Sequence, residues 1–120
     1  MALIKRYHGN CHCHAVEFEI SSPAITQACR CNCSICRRKG AIMSEEYFSP
    51  ADFSLIKGKK SLTRYQFGDH QVYHYFCKTC GIAPFHDATE KPGYFRVNLN
   101  CIDEIDLNLL TIRQIDGASF

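Results

Sequence analysis

Nine cysteines in 120 residues fall into three clusters, Cys11 with Cys13, Cys29 through Cys36, and Cys77 with Cys80, leaving Cys101 alone. Thiols two residues apart in one strand would strain a disulfide, and an odd number cannot all pair within the chain, so the pattern points to metal ligation. The strongest single signal is Cys77-Lys78-Thr79-Cys80-Gly81. A C-x-x-C turn aims both sulfurs at one ion, and the glycine that follows can take the left-handed conformation that closes the turn. A structural zinc needs four ligands. Cys11 and Cys13 face the same way by the two-residue period if that segment is extended, so they are the economical second pair. The spacing therefore predicts a closed four-thiolate site at Cys11, Cys13, Cys77 and Cys80.

Cys31-Asn32-Cys33-Ser34-Ile35-Cys36 offers three more sulfurs on what reads as a tight loop. Three protein ligands and an open fourth position suit a catalytic zinc, whose free place takes water or substrate. The competing reading is a second structural ion completed by Cys29, Cys101 or a histidine. Iron–sulfur ligation is disfavoured because the bacterial run of closely spaced cysteines ending in Cys-Pro is missing. Cys29 and Cys101 read as buried small hydrophobes, and Cys29 is also near enough to the cluster to resolve an oxidised thiol. With no carboxylate partner visible, His12, His14, His70, His74 and His86 read as surface or core residues rather than general bases. Arg37, Arg38 and Lys39 follow the cluster directly. They are either a solvated basic turn that offsets bound thiolates or a seat for an anionic ligand such as a carboxylate-bearing thiol.

The elements that must position these residues are short strands. Val16, Phe18 and Ile20 alternate with Glu17 and Glu19, which puts the apolar side chains on one face. Further β-rich runs lie at 41–48, 53–56, 62–67, 71–76, 94–99 and 109–115. Turn signals separate them at Ser22-Pro23, Lys39-Gly40, Lys57-Gly58, Gly68-Asp69 and Pro92-Gly93. Helix signals amount to one turn at Ser49-Pro50-Ala51-Asp52 and a short segment at 103–110. No repeat or linker interrupts the sequence, so it reads as a single, mainly β, multi-sheet domain over 1–120. No apolar run approaches the roughly 20 residues of a membrane span. The amino end reaches Lys5 without the apolar stretch of a secretory signal, which predicts a cytoplasmic protein. A net charge of only +2 without a long basic stripe argues against nucleic acid as partner.

Taken in order, Gly9-Asn10-Cys11-His12-Cys13 with Val16-Glu17-Phe18, then Cys31-Asn32-Cys33-Ser34-Ile35-Cys36-Arg37-Arg38, then residues 58–65, then Phe76-Cys77-Lys78-Thr79-Cys80-Gly81, resemble the glutathione-dependent formaldehyde-activating enzyme family. That domain is shared with centromere protein V and has the Mss4-like β fold. The resemblance covers nearly the whole chain. It implies two zinc ions, one structural at Cys11, Cys13, Cys77 and Cys80 and one catalytic at Cys31, Cys33 and Cys36. It also implies carbon–sulfur lyase-type chemistry on a small thiol such as glutathione and a small aldehyde, as in forming S-(hydroxymethyl)glutathione, with Arg37, Arg38 and Lys39 drawing substrate carboxylates. Asn32 stands where the family usually has histidine, His14 where glycine is common, and the chain is shorter than the glutathione-handling members. The alternative is a non-catalytic zinc module that docks protein or nucleic acid through the basic loop.

Overall fold

The alternation of Val16, Phe18 and Ile20 does build a strand, and the sheet around it carries one face of the core. A computed structural model describes residues 3–68 and 72–119. Strands β1 (Ile4–Asn10), β2 (Glu17–Pro23) and β5 (Phe53–Lys57) form an antiparallel sheet in the order β1-β2-β5. Strands β6 (Leu62–Tyr65), β7 (His74–Cys77), β8 (Phe85–Asp87) and β9 (Phe95–Val97) form a four-stranded antiparallel meander. A third sheet has the order β10-β3-β4, from β3 (Gln27–Cys31), β4 (Met43–Ser44) and β10 (Thr111–Ile115).

The first two sheets meet through aromatic rings. Phe18 and Phe53 of the first sheet stack with ring centroids 5.9 Å apart, and across to the second Phe53 stacks on Phe95 at 4.6 Å while Phe85 stands edge-on to Phe53 at 5.2 Å. Such pairs add about 0.5–1.5 kcal/mol each beyond their burial. Phe18 fits only because its register partner is Gly9, where an added Cβ would lie 2.3 Å from the ring. In the third sheet β3 pairs with β10 in parallel, Cys31 opposite Ile115. A parallel pair cannot be closed by a hairpin, so the chain travels through both other sheets before β10 returns to β3. That return lays the carboxyl-terminal residues against the end of β3.

The mainly β, multi-sheet architecture agrees with the sequence reading, and the individual elements differ in instructive ways. The run at 41–48 is a two-residue strand followed by a lone bridge from Phe48 to Phe95. Of the run at 71–76, Gln71 lies outside the described residues, as do Asp69 of the Gly68-Asp69 turn and His70, and the strand itself is His74–Cys77. Three strands had no sequence signal. In β1 only Tyr7 and Gly9 are buried, and glycine contributes nothing to an apolar pattern. In β3 adjacent residues Ala28 and Cys29 are both buried, so there is no alternation. The third, β8, has three residues. Residues 49–52 form the expected single turn, with the Asp52 and Phe53 amides both donating to the Ser49 carbonyl. Within 103–110, Leu107–Leu109 forms a 3-10 turn capped by the Asp106 carboxylate. The loop read at the central cysteines contains a helix, α1 (Ser34–Lys39). Among the described residues no helix is long and apolar enough to cross a membrane.

Candidate metal centres and the cavity beside the second

Cys77 ends β7 and Cys80 sits in the turn beyond it, closed by the Gly81 amide donating to the Cys77 carbonyl at 2.8 Å with Gly81 at φ 79°. Across from it the chain leaves β1 at Asn10 and folds back, the His14 amide donating to the Cys11 carbonyl at 3.2 Å. Cys11 and Cys13 thus converge through a turn, not through the period of an extended strand as the spacing suggested. The sulfurs of Cys11, Cys13, Cys77 and Cys80 all lie within 4.8 Å of one another. Cys11 and Cys13 are 3.7 Å apart and Cys13 and Cys77 3.6 Å. A disulfide requires about 2.05 Å. A tetrahedron of sulfurs about 2.3 Å from a zinc ion has edges of about 3.8 Å. The donor set therefore fits a tetrahedral thiophilic ion.

Electrostatics supports the same fit. Burial raises the Cys80 thiol, but the amides of Ile82 and Cys13 and the neighbouring thiols outweigh it and hold it at about 6. Burial likewise opposes ionisation of Cys77, and the Cys80 and Thr79 amides overcome it. For Cys13 the Ala15 amide acts downward, while desolvation and the thiols of Cys77, Cys11 and Cys80 push it up to about 11. Backbone donors stabilise the first thiolates, and the last thiol resists because negative charge would accumulate. A divalent cation removes that conflict.

The second group, Cys31, Cys33 and Cys36, also has its sulfurs within 4.8 Å of one another. Cys31 ends β3. Cys33 is the N-cap of α1, its sulfur accepting from the Cys36 amide at 3.4 Å, and its own amide donates to the Cys31 sulfur at 3.4 Å. Capping explains why a C-x-C-x-x-C run folds as a helix: the residue at the cap carries the acceptor the first turn needs. Burial opposes ionisation of Cys33, but the Cys36 amide and both neighbouring thiols lower it. Cys36 is pushed up to about 12 by burial and by Cys33. Three soft donors with no fourth thiol in the group fit an ion with one position left over.

The three cysteines line a cavity of about 250 Å³. His74, His86 and Arg96, on β7, β8 and β9, line the same cavity, with Phe67, Ile35 and Val72 among its apolar lining residues. Both histidines are buried, 6 % exposed. Burial first, then the Lys39 charge, lowers His74 to about 4 and His86 to about 3, so each is a neutral imidazole.

A model of the family described as glutathione-dependent formaldehyde-activating enzyme matches residues 6–114. The chain belongs to that family. It is also similar to a crystal structure of a Rhodobacter sphaeroides protein solved as a structural-genomics target, at TM-score 0.78 and 35% identity, over 90% of this chain and 99% of that one.

Two departures from the formaldehyde-activating family pattern have local explanations. His14, where glycine is common, sits at φ 64°, the left-handed conformation glycine adopts freely, and its Nε2 lies 3.4 Å from Asn10 Nδ2. Asn32 replaces histidine and ties the carboxyl-terminal turn over the cluster. Its Nδ2 donates to Asp116 at 2.9 Å and its Oδ1 accepts from the Ala118 amide at 2.9 Å. Gly117 is pressed so close that a Cβ there would lie 2.4 Å from the Cys31 sulfur.

The three basic residues after the cluster diverge. Arg37 is exposed, and Arg38 is exposed with Nη1 donating to the Ser34 carbonyl at 2.8 Å. Lys39 turns inward, its Nζ 3.2 Å from His74 Nδ1, and burial lowers its pKa. Arg38 and Lys39 line a separate groove of about 660 Å³ that runs toward Cys11 and His12. The leftover thiols stay apart from both centres. Cys29 is buried, donates to the Ser44 carbonyl and is raised by that burial, and Cys101 is raised to about 12 by burial. The residues missed by sequence reasoning are His74, His86 and Arg96. Nothing in the sequence aligns them, because they are brought together by strand register alone.

Proposed function

We propose that this chain is a zinc-dependent carbon–sulfur lyase-type enzyme that joins and separates a small thiol and a small aldehyde, glutathione and formaldehyde being the first pair to consider. The observation that carries this reading is an incomplete three-thiol group lining a cavity too small for a whole peptide. Ligand pockets usually measure about 300–1,000 Å³, so a cavity of about 250 Å³ suits the reacting end of a larger thiol. Cys11, Cys13, Cys77 and Cys80 would hold a structural zinc, and Cys31, Cys33 and Cys36 a second one. The chemistry an ion held there would supply is to favour the thiolate form of the incoming thiol, the form that attacks a carbonyl. In the forward direction a carbon–sulfur bond forms, the π pair of the C=O bond moves to oxygen, and oxygen gains the proton that the thiol gives up.

The protein's own contributions are placement and charge. Apolar side chains around the cavity limit water at the reacting atoms, which strengthens every polar interaction there. Arg37 and Arg38, exposed outside the cavity, would draw the carboxylates of the thiol's remaining part, and Lys39 would add positive charge from beneath. The same reading takes 1–120 as one domain working in the cytoplasm, where low-molecular-weight thiols are kept reduced. A docking module has no use for a cavity beside three unsaturated ligands. The test is exchange between free and aldehyde-adducted thiol at equilibrium. The zinc-loaded protein should accelerate it over buffer, and no acceleration with any thiol would remove the reading.

A further inference from the structure

A ladder of rings leads from the cavity to the protein surface. His74, in the cavity lining, stacks on Phe67 with ring centroids 6.0 Å apart and planes 24° from parallel, and Phe67 stacks on Tyr65 at 5.9 Å and 19°. Tyr65 is the register partner of His74 at the end of β6, and Phe67 follows two residues on. The inner ring is buried, but Phe67 is 41 % exposed and Tyr65 51 %. Large apolar side chains exposed singly need no explanation, whereas adjoining ones beside a cavity mark a surface that binds something.

Tyr65 and Phe67 line a shallow groove of about 330 Å³ together with Ser34, Ile35 and Arg38 of α1. Ile35 and Phe67 also line the cavity of Cys31, Cys33 and Cys36, so groove and cavity adjoin at those two side chains. Arg38 is held at the groove by its Nη1, which donates to the Ser34 carbonyl at 2.8 Å. A guanidinium has five N–H groups, and this bond uses one of them. Among the described residues no carboxylate pairs with Arg38. The groove therefore sets exposed aromatic rings beside a positioned cation, next to the cavity that takes the reacting end of a thiol.

We propose that this groove is the specificity subsite for the thiol, and that it fits a thiol carrying an aromatic ring and a carboxylate. This rests on the thiol–aldehyde reading above. The substrate ring lies against Tyr65 and Phe67, the carboxylate pairs with Arg38, and the sulfur passes Ile35 and Phe67 to the three cysteines. Ring stacking adds to the gain from apolar area removed from water, and the guanidinium matches a carboxylate in geometry as well as in charge. An aliphatic thiol acid keeps the ion pair and loses the stacking. Glutathione belongs to that second class, with carboxylates but no ring.

Two measurements test this. Para-toluate has the ring and the carboxylate but no sulfur. In the zinc-loaded wild-type protein it should shift the ring-proton resonances of Tyr65 and Phe67 saturably, and hexanoate should shift them far less. In equilibrium exchange with formaldehyde, the wild-type KM for para-mercaptomethylbenzoate should lie roughly tenfold below that for mercaptohexanoate, which has similar reach and no ring. Tyr65→Ala, at a position outside the cavity lining, should bring the two KM values together. That change should come through KM and not kcat, because the stacking is made alike in ground and transition states. Ring resonances unmoved by para-toluate, equal wild-type KM values, or a KM ratio unaltered in Tyr65→Ala overturns the proposal. The titration needs neither a variant nor turnover. Wild-type exchange no faster than buffer with both thiols would count against the thiol–aldehyde reading itself, and the titration would still decide the groove.

Discussion

Serine at Cys80 and serine at Cys36 remove one sulfur each, yet the two changes should differ sharply in effect. The first group joins Cys13 to Cys77 across 64 positions of sequence, so its four sulfurs assemble only when β1 and β7 are both in place. The second group lies within residues 31–36, and an unfolded chain carries all three of its thiols on one short segment. An ion stabilises the fold only to the extent that the unfolded chain does not bind it, so the second ion contributes less. Structural zinc binding amounts to ~10–16 kcal/mol, or about 3 kcal/mol per thiolate, against a total stability of roughly 6–18 kcal/mol for a chain of this size. Hydroxyl is a poor substitute for a soft thiolate. At about 3–6 °C per kcal/mol, Cys80→Ser should lower Tm by at least about 10 °C, whereas Cys36→Ser should lower it by only a few degrees. Calorimetry with metal analysis reads both effects. Wild type should hold two zinc ions and no disulfide, Cys80→Ser should unfold early or aggregate, and Cys36→Ser should stay folded with one ion. Equal losses of Tm would mean that both ions staple the fold, and the argument from sequence separation would be wrong.

Gly117→Ala forces a methyl against the Cys31 sulfur and should weaken the second ion while leaving the first intact. Competition with a chromogenic chelator should find one site released more readily and one unchanged, and two unchanged sites would contradict it. Burial, then Lys39, lowers His86 from 6.5 to about 3, so the unfolded chain takes up its proton first. The stabilising contribution is complete above about pH 6.5 and drains away as pH falls toward 3, reaching a loss of about 1.4 kcal/mol near pH 5.5. Urea unfolding of wild type and His86→Gln at about pH 8 and 5.5 should show that extra loss in wild type alone, and parallel pH dependence in the two would refute it.

The cysteines were legible because metal ligation requires particular atoms at particular spacings, and these survive whatever the backbone does between them. Cys11 and Cys13 converge by a turn where an extended strand was expected, and the set is unchanged. The β class was legible from Val16, Phe18 and Ile20, which carry their alternation whether or not the neighbouring strand is known. Strand β1 was not, because Gly9 is buried for want of a side chain, to make room for Phe18. The helix at Ser34–Lys39 was hidden because it buries no residue and so leaves no apolar periodicity. The strand-borne lining of the cavity was the least legible part. His74, His86 and Arg96 become neighbours through two registers, and a slip of one residue in either would turn a member of the row to the other face.

The central claim is that the group at Cys31, Cys33 and Cys36 performs thiol–aldehyde chemistry. It is tested most directly by NMR exchange spectroscopy on glutathione and formaldehyde at equilibrium, where the uncatalysed addition is measured in the same tube geometry and concentrations. Zinc-loaded wild-type protein should exchange free and hydroxymethylated thiol faster than buffer, with Cys36→Ser at the buffer rate although folded. Wild-type exchange indistinguishable from buffer with every thiol tried, and no thiol perturbing the second zinc site, would contradict the claim and leave a non-catalytic zinc module as the better description.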